Sequence, residues 1–103
     1  MVARAGAARV YACEANPMLA ASARAVIAAN GLADRITVFD RHSTGFDRVH
    51  DLGGGVDLVV SEVFCHKLIG EGVLGSLAHA CGELAAPGAL FLPERASMEV
   101  ALA

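Results

Sequence analysis

Short apolar segments alternate with polar breaks along the chain, and the breaks contain familiar signals for turns and helix ends. Residues 9–13 combine β-forming side chains and predict a first strand. Asn16 and Pro17 follow as an N-cap and a first helical position, and Gly31 is suited to end a helix. We therefore expect a helix over residues 18–30, and its nearly continuous apolar sequence predicts that the helix is mostly buried.

The same signals continue to residue 101 and predict parallel strands joined by helical crossovers. The predicted elements are strands at residues 35–39, 56–61 and 89–92, a helix at 72–84, and the start of a fifth strand at 96–101. The polar residues 41–51 and the glycine run 53–55 predict a connection with one short helical turn. The unbroken apolar run at residues 58–60 is typical of a strand buried on both faces of its sheet. The order predicts an α/β doubly wound fold and one small domain over residues 1–103.

Composition and charge exclude several classes of protein. The chain is 55% apolar and 18% charged, which excludes a disordered segment. A net charge of −3 with no basic face argues against nucleic-acid binding. No apolar run approaches the roughly 20 residues of a membrane span, and no secretory signal is visible, so we expect a cytoplasmic location and no membrane partner. Three cysteines without a paired motif indicate reduced thiols, and no metal-ligand spacing is present.

An acidic residue stands at the end of each of the first three predicted strands: Glu14, Asp40 and Glu62. Ligands of doubly wound sheets bind at the carboxyl ends of the strands, and an acid placed like Glu14 commonly accepts the ribose hydroxyls. NAD, FAD and S-adenosylmethionine all contain a ribose, so Glu14 alone does not separate them. The glycine run 53–55 precedes a strand, which excludes it as a dinucleotide phosphate loop.

Residues 61–72, SEVFCHKLIGEG, contain Glu62 and Glu71 nine positions apart in a loop that follows a strand. This segment resembles the double-glutamate loop of the protein arginine methyltransferases, which begins with Ser-Glu after the fourth strand. The sequence of residues 68–72, LIGEG, is most similar to that of the monomethylating, type III branch of the family. Residues 10–14 and 92–96 resemble two further strands of the same family.

The resemblance implies a Rossmann-like doubly wound sheet and the cofactor S-adenosylmethionine. It implies that Glu14 binds the ribose, and that a turn containing His42, Ser43 and Thr44 lies beside the adenine. Thr44 stands where many relatives have an acid, so a hydroxyl or backbone contact is expected to replace that carboxylate.

The resemblance further implies that Glu62 and Glu71 are catalytic. They would hold the guanidinium of an arginine-containing protein or peptide substrate, because paired carboxylates match the planar fork of that cation. Without the resemblance, Glu71 would be interpreted as an acid favoured at a helix N-terminus. No metal is implied, and a homodimer is a further expectation.

The family's first strand and glycine-rich turn would precede residue 1, and its β-barrel would follow residue 103. We therefore expect an incomplete methyltransferase domain that is inactive as an isolated chain. Two alternatives stay open: a non-catalytic remnant with a structural role, and a Rossmann methyltransferase of small molecules, which would not require Glu71.

Overall fold

The order of strands and helices in the computed structural model, which describes residues 1–63, 70, 72–97, 99 and 101, follows the predicted order. The elements are β1 (Val10–Cys13), α1 (Pro17–Ala29), β2 (Ile36–Phe39), β3 (Val56–Val60), α2 (Val73–His79) and β4 (Ala85–Leu92). A 3-10 turn, Ser43–Gly45, follows β2, and a π-helical segment, Ala80–Leu84, follows α2. The chain divides into two compact units, Met1–Gly45 and Phe46–Ala103, and each is described by itself.

The first unit is a β-α-β arrangement in which β1 and β2 pair in parallel, with Val10 opposite Ile36. The predicted start of α1 is confirmed, because the Asn16 side chain accepts hydrogen bonds from the first free amides of the helix. Gly31 adopts a positive φ of 66° just beyond the helix, a conformation that glycine adopts without strain. Turn chemistry in the sequence was therefore sufficient to place both ends of α1.

The prediction that α1 is mostly buried is wrong for this structure. Ala20 is its buried residue, whereas Met18 and Leu19 are exposed and Val26 is 62% exposed. A helix against a two-stranded sheet can cover only one narrow stripe of its surface, however apolar the other sides are. The apolar sequence of α1 thus indicates how much surface the helix could bury. The two strands described in this unit cover only part of that surface.

In the second unit β3 and β4 pair in parallel with an irregular register. Val56 lies opposite Ala85 and Leu58 opposite Leu90, so β4 advances five residues while β3 advances two. The Pro-Gly pair at residues 87–88 lies inside this bulge, which explains why β4 begins at Ala85 and not at the predicted residue 89. A proline-glycine pair therefore marks an interruption within this strand instead of its start.

Three further expectations for the second unit differ from the structure. Val60 is 54% exposed and Leu58 also lies partly in solvent, so β3 is not buried on both faces, because β4 is its only partner among the described residues. The predicted helix 72–84 is divided into α2 and the π-helical segment. The described residues between 95 and 101 do not form the predicted fifth strand.

Both units have small cores. Ala3, Ala20 and Val38 are the buried apolar residues described in the first unit, and Leu52, Val73, Ala80 and Leu84 are those in the second.

The fold is mixed α/β with parallel strands in two sheets, consistent with part of a Rossmann-like fold. The single domain over residues 1–103 stays a prediction. None of the described helices combines the length and the apolar character that crossing a bilayer requires.

Candidate active site

Glu14 lies at the carboxyl end of β1, where the sheet of the first unit fixes its backbone. Its N–H donates to the Phe39 carbonyl at 3.0 Å, one residue beyond the paired strands. Its side chain is half-buried, and Oε1 accepts a hydrogen bond from the Asn16 N–H at 2.8 Å. A carboxylate has about four lone-pair positions, so this bond leaves acceptor capacity for a ribose diol.

The turn after β2 carries the other three residues predicted to bind the cofactor. The Thr44 N–H donates to Nδ1 of His42 at 3.3 Å, which identifies Nδ1 as an acceptor. The Thr44 hydroxyl oxygen lies 2.9 Å from the same nitrogen, within hydrogen-bond distance. His42 and Thr44 therefore contact each other within the turn, and the imidazole is exposed to solvent.

Cys13 and Ser43 connect the end of β1 with this turn. Burial raises the pKa of the Cys13 thiol, and a hydrogen bond with the Ser43 side chain opposes that increase. Glu14, beside Cys13, raises the same pKa through its negative charge. The first unit thus brings Glu14 and the 42–44 turn to one end of its sheet, as parallel pairing of β1 with β2 requires. No motif in the sequence marks Cys13 as a neighbour of these residues.

Asp40, the second strand-end acid, has a different partner. Its Oδ2 lies 3.6 Å from NH2 of Arg24, which reaches over from α1. Both side chains are substantially exposed. Asp40 therefore has a cationic partner on α1, although a pair this exposed contributes little to holding the end of β2. Arg24 was visible in the sequence only as a rare polar interruption of an apolar helix.

Glu62 follows β3 in the second unit. The Ser61 N–H donates to the Leu92 carbonyl at 2.8 Å, so the pairing of β3 with β4 extends one residue past the strand. Glu62 comes next and its side chain is exposed. Glu71 lies outside the described residues, as does most of the loop between the two glutamates. The structure therefore describes one of the two predicted catalytic carboxylates.

The second unit also contains a shallow cavity of about 200 Å³. Phe46, Asp47, His79 and Glu83 are among its lining residues. None of the predicted site residues lines it in the part of the chain that the structure describes. This cavity therefore does not include the strand ends, where the chemistry indicated by the sequence lies.

Comparison with known proteins gives a clear family relationship. An arginine N(omega)-methyltransferase of Streptomyces achromogenes subsp. streptozoticus is 52% identical over 96 residues, which are 93% of this chain and 27% of that protein. The chain is related to a segment of the arginine N-methyltransferases. Protein arginine N-methyltransferase 7 of Drosophila grimshawi is 39% identical, with 94% of this chain and 14% of that protein covered. That of Anopheles gambiae is also 39% identical, with 95% and 14% covered.

No protein-family model matches the chain. The arginine N-methyltransferase resemblance of the 61–72 loop is nevertheless confirmed at the level of the family, because the identity extends over 93% of the chain and well beyond that loop. The chain spans about a quarter of the Streptomyces relative and about a seventh of the insect relatives. The roles of individual residues and the monomethylating branch stay predictions.

Proposed function

We propose that this chain forms the part of an S-adenosylmethionine-dependent arginine methyltransferase that holds the adenosine end of the cofactor and the acceptor guanidinium. The observation that carries the proposal is the 52% identity to the Streptomyces arginine methyltransferase over 93% of the chain. The proposal includes a Rossmann-like doubly wound sheet and a cytoplasmic location for the full-length protein.

The first unit offers donors and acceptors that fit the adenosine half of S-adenosylmethionine. Glu14 would accept hydrogen bonds from the ribose hydroxyls with the capacity that its bond to Asn16 leaves. His42, Ser43 and Thr44 would lie beside the adenine, which both donates and accepts hydrogen bonds. When bound, S-adenosylmethionine supplies an activated methyl group on a sulfonium ion.

Glu62 and Glu71 would bind and orient the acceptor. The arginine guanidinium is a delocalised cation with a pKa above about 12, so it is a poor nucleophile in water. Two carboxylates that accept its N–H hydrogen bonds would hold one terminal nitrogen in place and concentrate electron density there. Orientation would supply much of the rate enhancement, because the methyl donor is already activated.

Charge removal at Glu62 tests this assignment in the full-length protein. Glu62→Gln keeps the side-chain shape and loses the charge, so we expect kcat to fall about 100-fold or more, the scale of losing one electrostatic contact to the reacting group. The dissociation constant of S-adenosylmethionine should stay within about twofold. Glu83→Gln, an exposed glutamate of the same unit, is the matched control. Near-normal turnover of Glu62→Gln would exclude the catalytic role, and Glu71→Gln is expected to resemble Glu62→Gln.

The ribose assignment is tested at Glu14 by calorimetry on the full-length protein. Glu14→Ala should raise the dissociation constant of S-adenosylmethionine about 10- to 100-fold, the scale of hydrogen bonds to a charged group. Glu14→Gln retains an oxygen for the Asn16 N–H, so comparing the two variants separates ribose binding from support of the helix start. An unchanged dissociation constant in both variants would mean that the ribose is held elsewhere.

The acceptor is defined by its guanidinium, and the names of the relatives give two sources for it. The Streptomyces relative is named for arginine, and the insect relatives are named for protein arginine. We propose an arginine-containing protein or peptide, with free arginine as the second candidate that the 52% identical relative favours. Mass spectrometry after incubation with labelled cofactor, with free arginine and arginine peptides in parallel, distinguishes them. Methylation of neither would favour a non-catalytic role or a different small-molecule acceptor.

A further inference from the structure

Arg24 lies in the middle of α1, and its guanidinium reaches the end of β2. Nε and NH2 both donate hydrogen bonds to the Val38 carbonyl oxygen, at 3.2 and 3.1 Å. The same NH2 lies 3.6 Å from Oδ2 of Asp40. One side chain therefore fixes two positions of the chain where it leaves the strand.

The geometry of β2 explains why Val38 receives this side chain. The carbonyls of Arg35 and Phe39 accept hydrogen bonds from β1, from the amides of Val10 and Glu14. Successive carbonyls of a strand point to opposite sides, so the Val38 carbonyl points away from β1 toward the open edge of β2. Arg24 satisfies that carbonyl at the edge, where no strand does so among the described residues.

The fixed positions immediately precede the turn that carries three predicted cofactor-binding residues. Asp40 is the first residue after β2, and His42 follows two residues later. We propose that Arg24 is a positioning residue for the cofactor site, holding the exit of β2 so that the turn at residues 42–44 meets the adenine. This inference rests on the proposed function.

The two contacts of Arg24 differ in strength. Its ion pair with Asp40 joins side chains that are 45% and 59% exposed, and such pairs contribute little. The paired hydrogen bonds to Val38 are charge-assisted and directional, so they dominate. A lysine supplies the charge but not the planar fork, and an ammonium cannot reproduce both donors in this geometry. Asp40→Asn should therefore leave the KM for S-adenosylmethionine nearly unchanged. Arg24→Lys should raise this KM to an intermediate degree, and Arg24→Gln should raise it most.

The first experiment separates binding from turnover in the full-length protein. Arg24→Gln should raise the KM for S-adenosylmethionine about tenfold and leave kcat within about twofold, the pattern of a lost binding contribution. Arg4→Gln is the matched control, because Arg4 contacts Asn30 at the other end of α1 through a hydrogen bond of 2.7 Å. An unchanged KM in Arg24→Gln, or a loss of kcat at constant KM, overturns the inference. If Arg24→Gln does not fold, Arg24→Lys must show a smaller increase in KM than Glu14→Ala but a larger one than Arg4→Gln.

The second experiment needs no cofactor, so it stays decisive if the proposed function fails. The alkylation rate of Cys13 against pH, followed by peptide mass spectrometry, reports the hydrogen bond between its thiol and Ser43. In the protein that retains Arg24, Ser43→Ala should shift this profile to higher pH. In the Arg24→Gln background the same substitution should have no effect, because the turn has already moved. Equal shifts in both backgrounds overturn the positioning role. Absence of S-adenosylmethionine binding by the unmodified protein would instead overturn the proposed function.

Discussion

At the scale of single residues, Glu14 connects the start of α1 with the proposed cofactor site. Its carboxylate accepts the Asn16 N–H, and Asn16 in turn accepts from the amides of Met18 and Leu19. The sequence predicts the cap at Asn16 and the position of Glu14 at the end of β1, because capping residues and strand-end acids are local patterns. It could not predict the partner of Arg24, since Val38 is 14 residues away and is brought near only by packing of α1 on β2.

Asp47 gives a prediction about acid stability. Its Oδ1 accepts the amides of His50 and Val49 at 2.7 and 2.9 Å, and the bond from His50 is the main cause of its lowered pKa. A lowered folded-state pKa stabilises the fold above the unfolded-state value, about 4, and this contribution is lost as the pH falls through the folded-state pKa. Asp47→Asn should therefore be less stable than the unsubstituted chain at pH 7.

Urea midpoints of the two proteins at pH 7 and about pH 2.5 test this expectation, with the second value chosen below the ordinary aspartate range. The gap between the midpoints should shrink at the lower pH, because protonation removes the charge that Asn lacks throughout. The other carboxyl groups are common to both proteins, so the difference isolates Asp47. A gap of constant size would show that the charge of Asp47 does not contribute to folding.

At the scale of elements, local signals predicted the order of strands and helices but not their environments. The 9–13 strand and the 18–30 helix agree with β1 and α1 within about one residue, because caps and turns are encoded by neighbouring residues. The start of β4 was misplaced, since the bulge opposite Val56–Leu58 depends on a partner strand. Burial of α1 and β3 depends on what packs against them, which no short window of sequence contains.

Replacing glycine by alanine should have opposite effects on stability at two positions of the second unit. A Cβ at Gly55 would lie 2.8 Å from Cα of Ala86 and 2.9 Å from its nitrogen, where backbone must shift. Gly55→Ala should therefore cost about 1–3 kcal/mol, the scale of overpacking. A Cβ at Gly75, inside α2, meets nothing within 4 Å, so Gly75→Ala should stabilise the helix by up to about 1 kcal/mol. Denaturant midpoints of the two variants should move in opposite directions, and a shared direction would contradict the packing of Gly55 on β4.

At the scale of the whole molecule, the apolar content exceeds what the described cores contain. More than half of the chain is apolar, yet the large side chains of Met18, Val60, Leu90 and Leu92 are exposed. Parallel sheets are normally covered on both faces. In the part of the chain that the structure describes, each sheet has two strands and leaves these apolar side chains in solvent. Exposed apolar surface with open strand edges favours association between chains.

We therefore predict that the purified 103-residue chain self-associates, transfers no methyl group, and binds S-adenosylmethionine weakly or not at all. Light scattering after size exclusion measures the association, calorimetry the binding, and labelled cofactor the transfer. The full-length protein is the positive control for the last two. Methyl transfer by a monomeric 103-residue chain would show that these residues suffice for catalysis.

The residues that end α1 also form a sequence that is prone to deamidation. Asn30 precedes Gly31, and an asparagine before glycine deamidates when the glycine nitrogen attacks the side-chain amide carbon. In the folded chain that nitrogen donates to the Ala28 carbonyl at 3.0 Å, and the Asn30 amide donates to the Val26 carbonyl at 2.8 Å. Both reacting groups are held until the last turn of the helix opens. We therefore expect the rate of any mass increase at Asn30 during storage to follow how often this helix end opens.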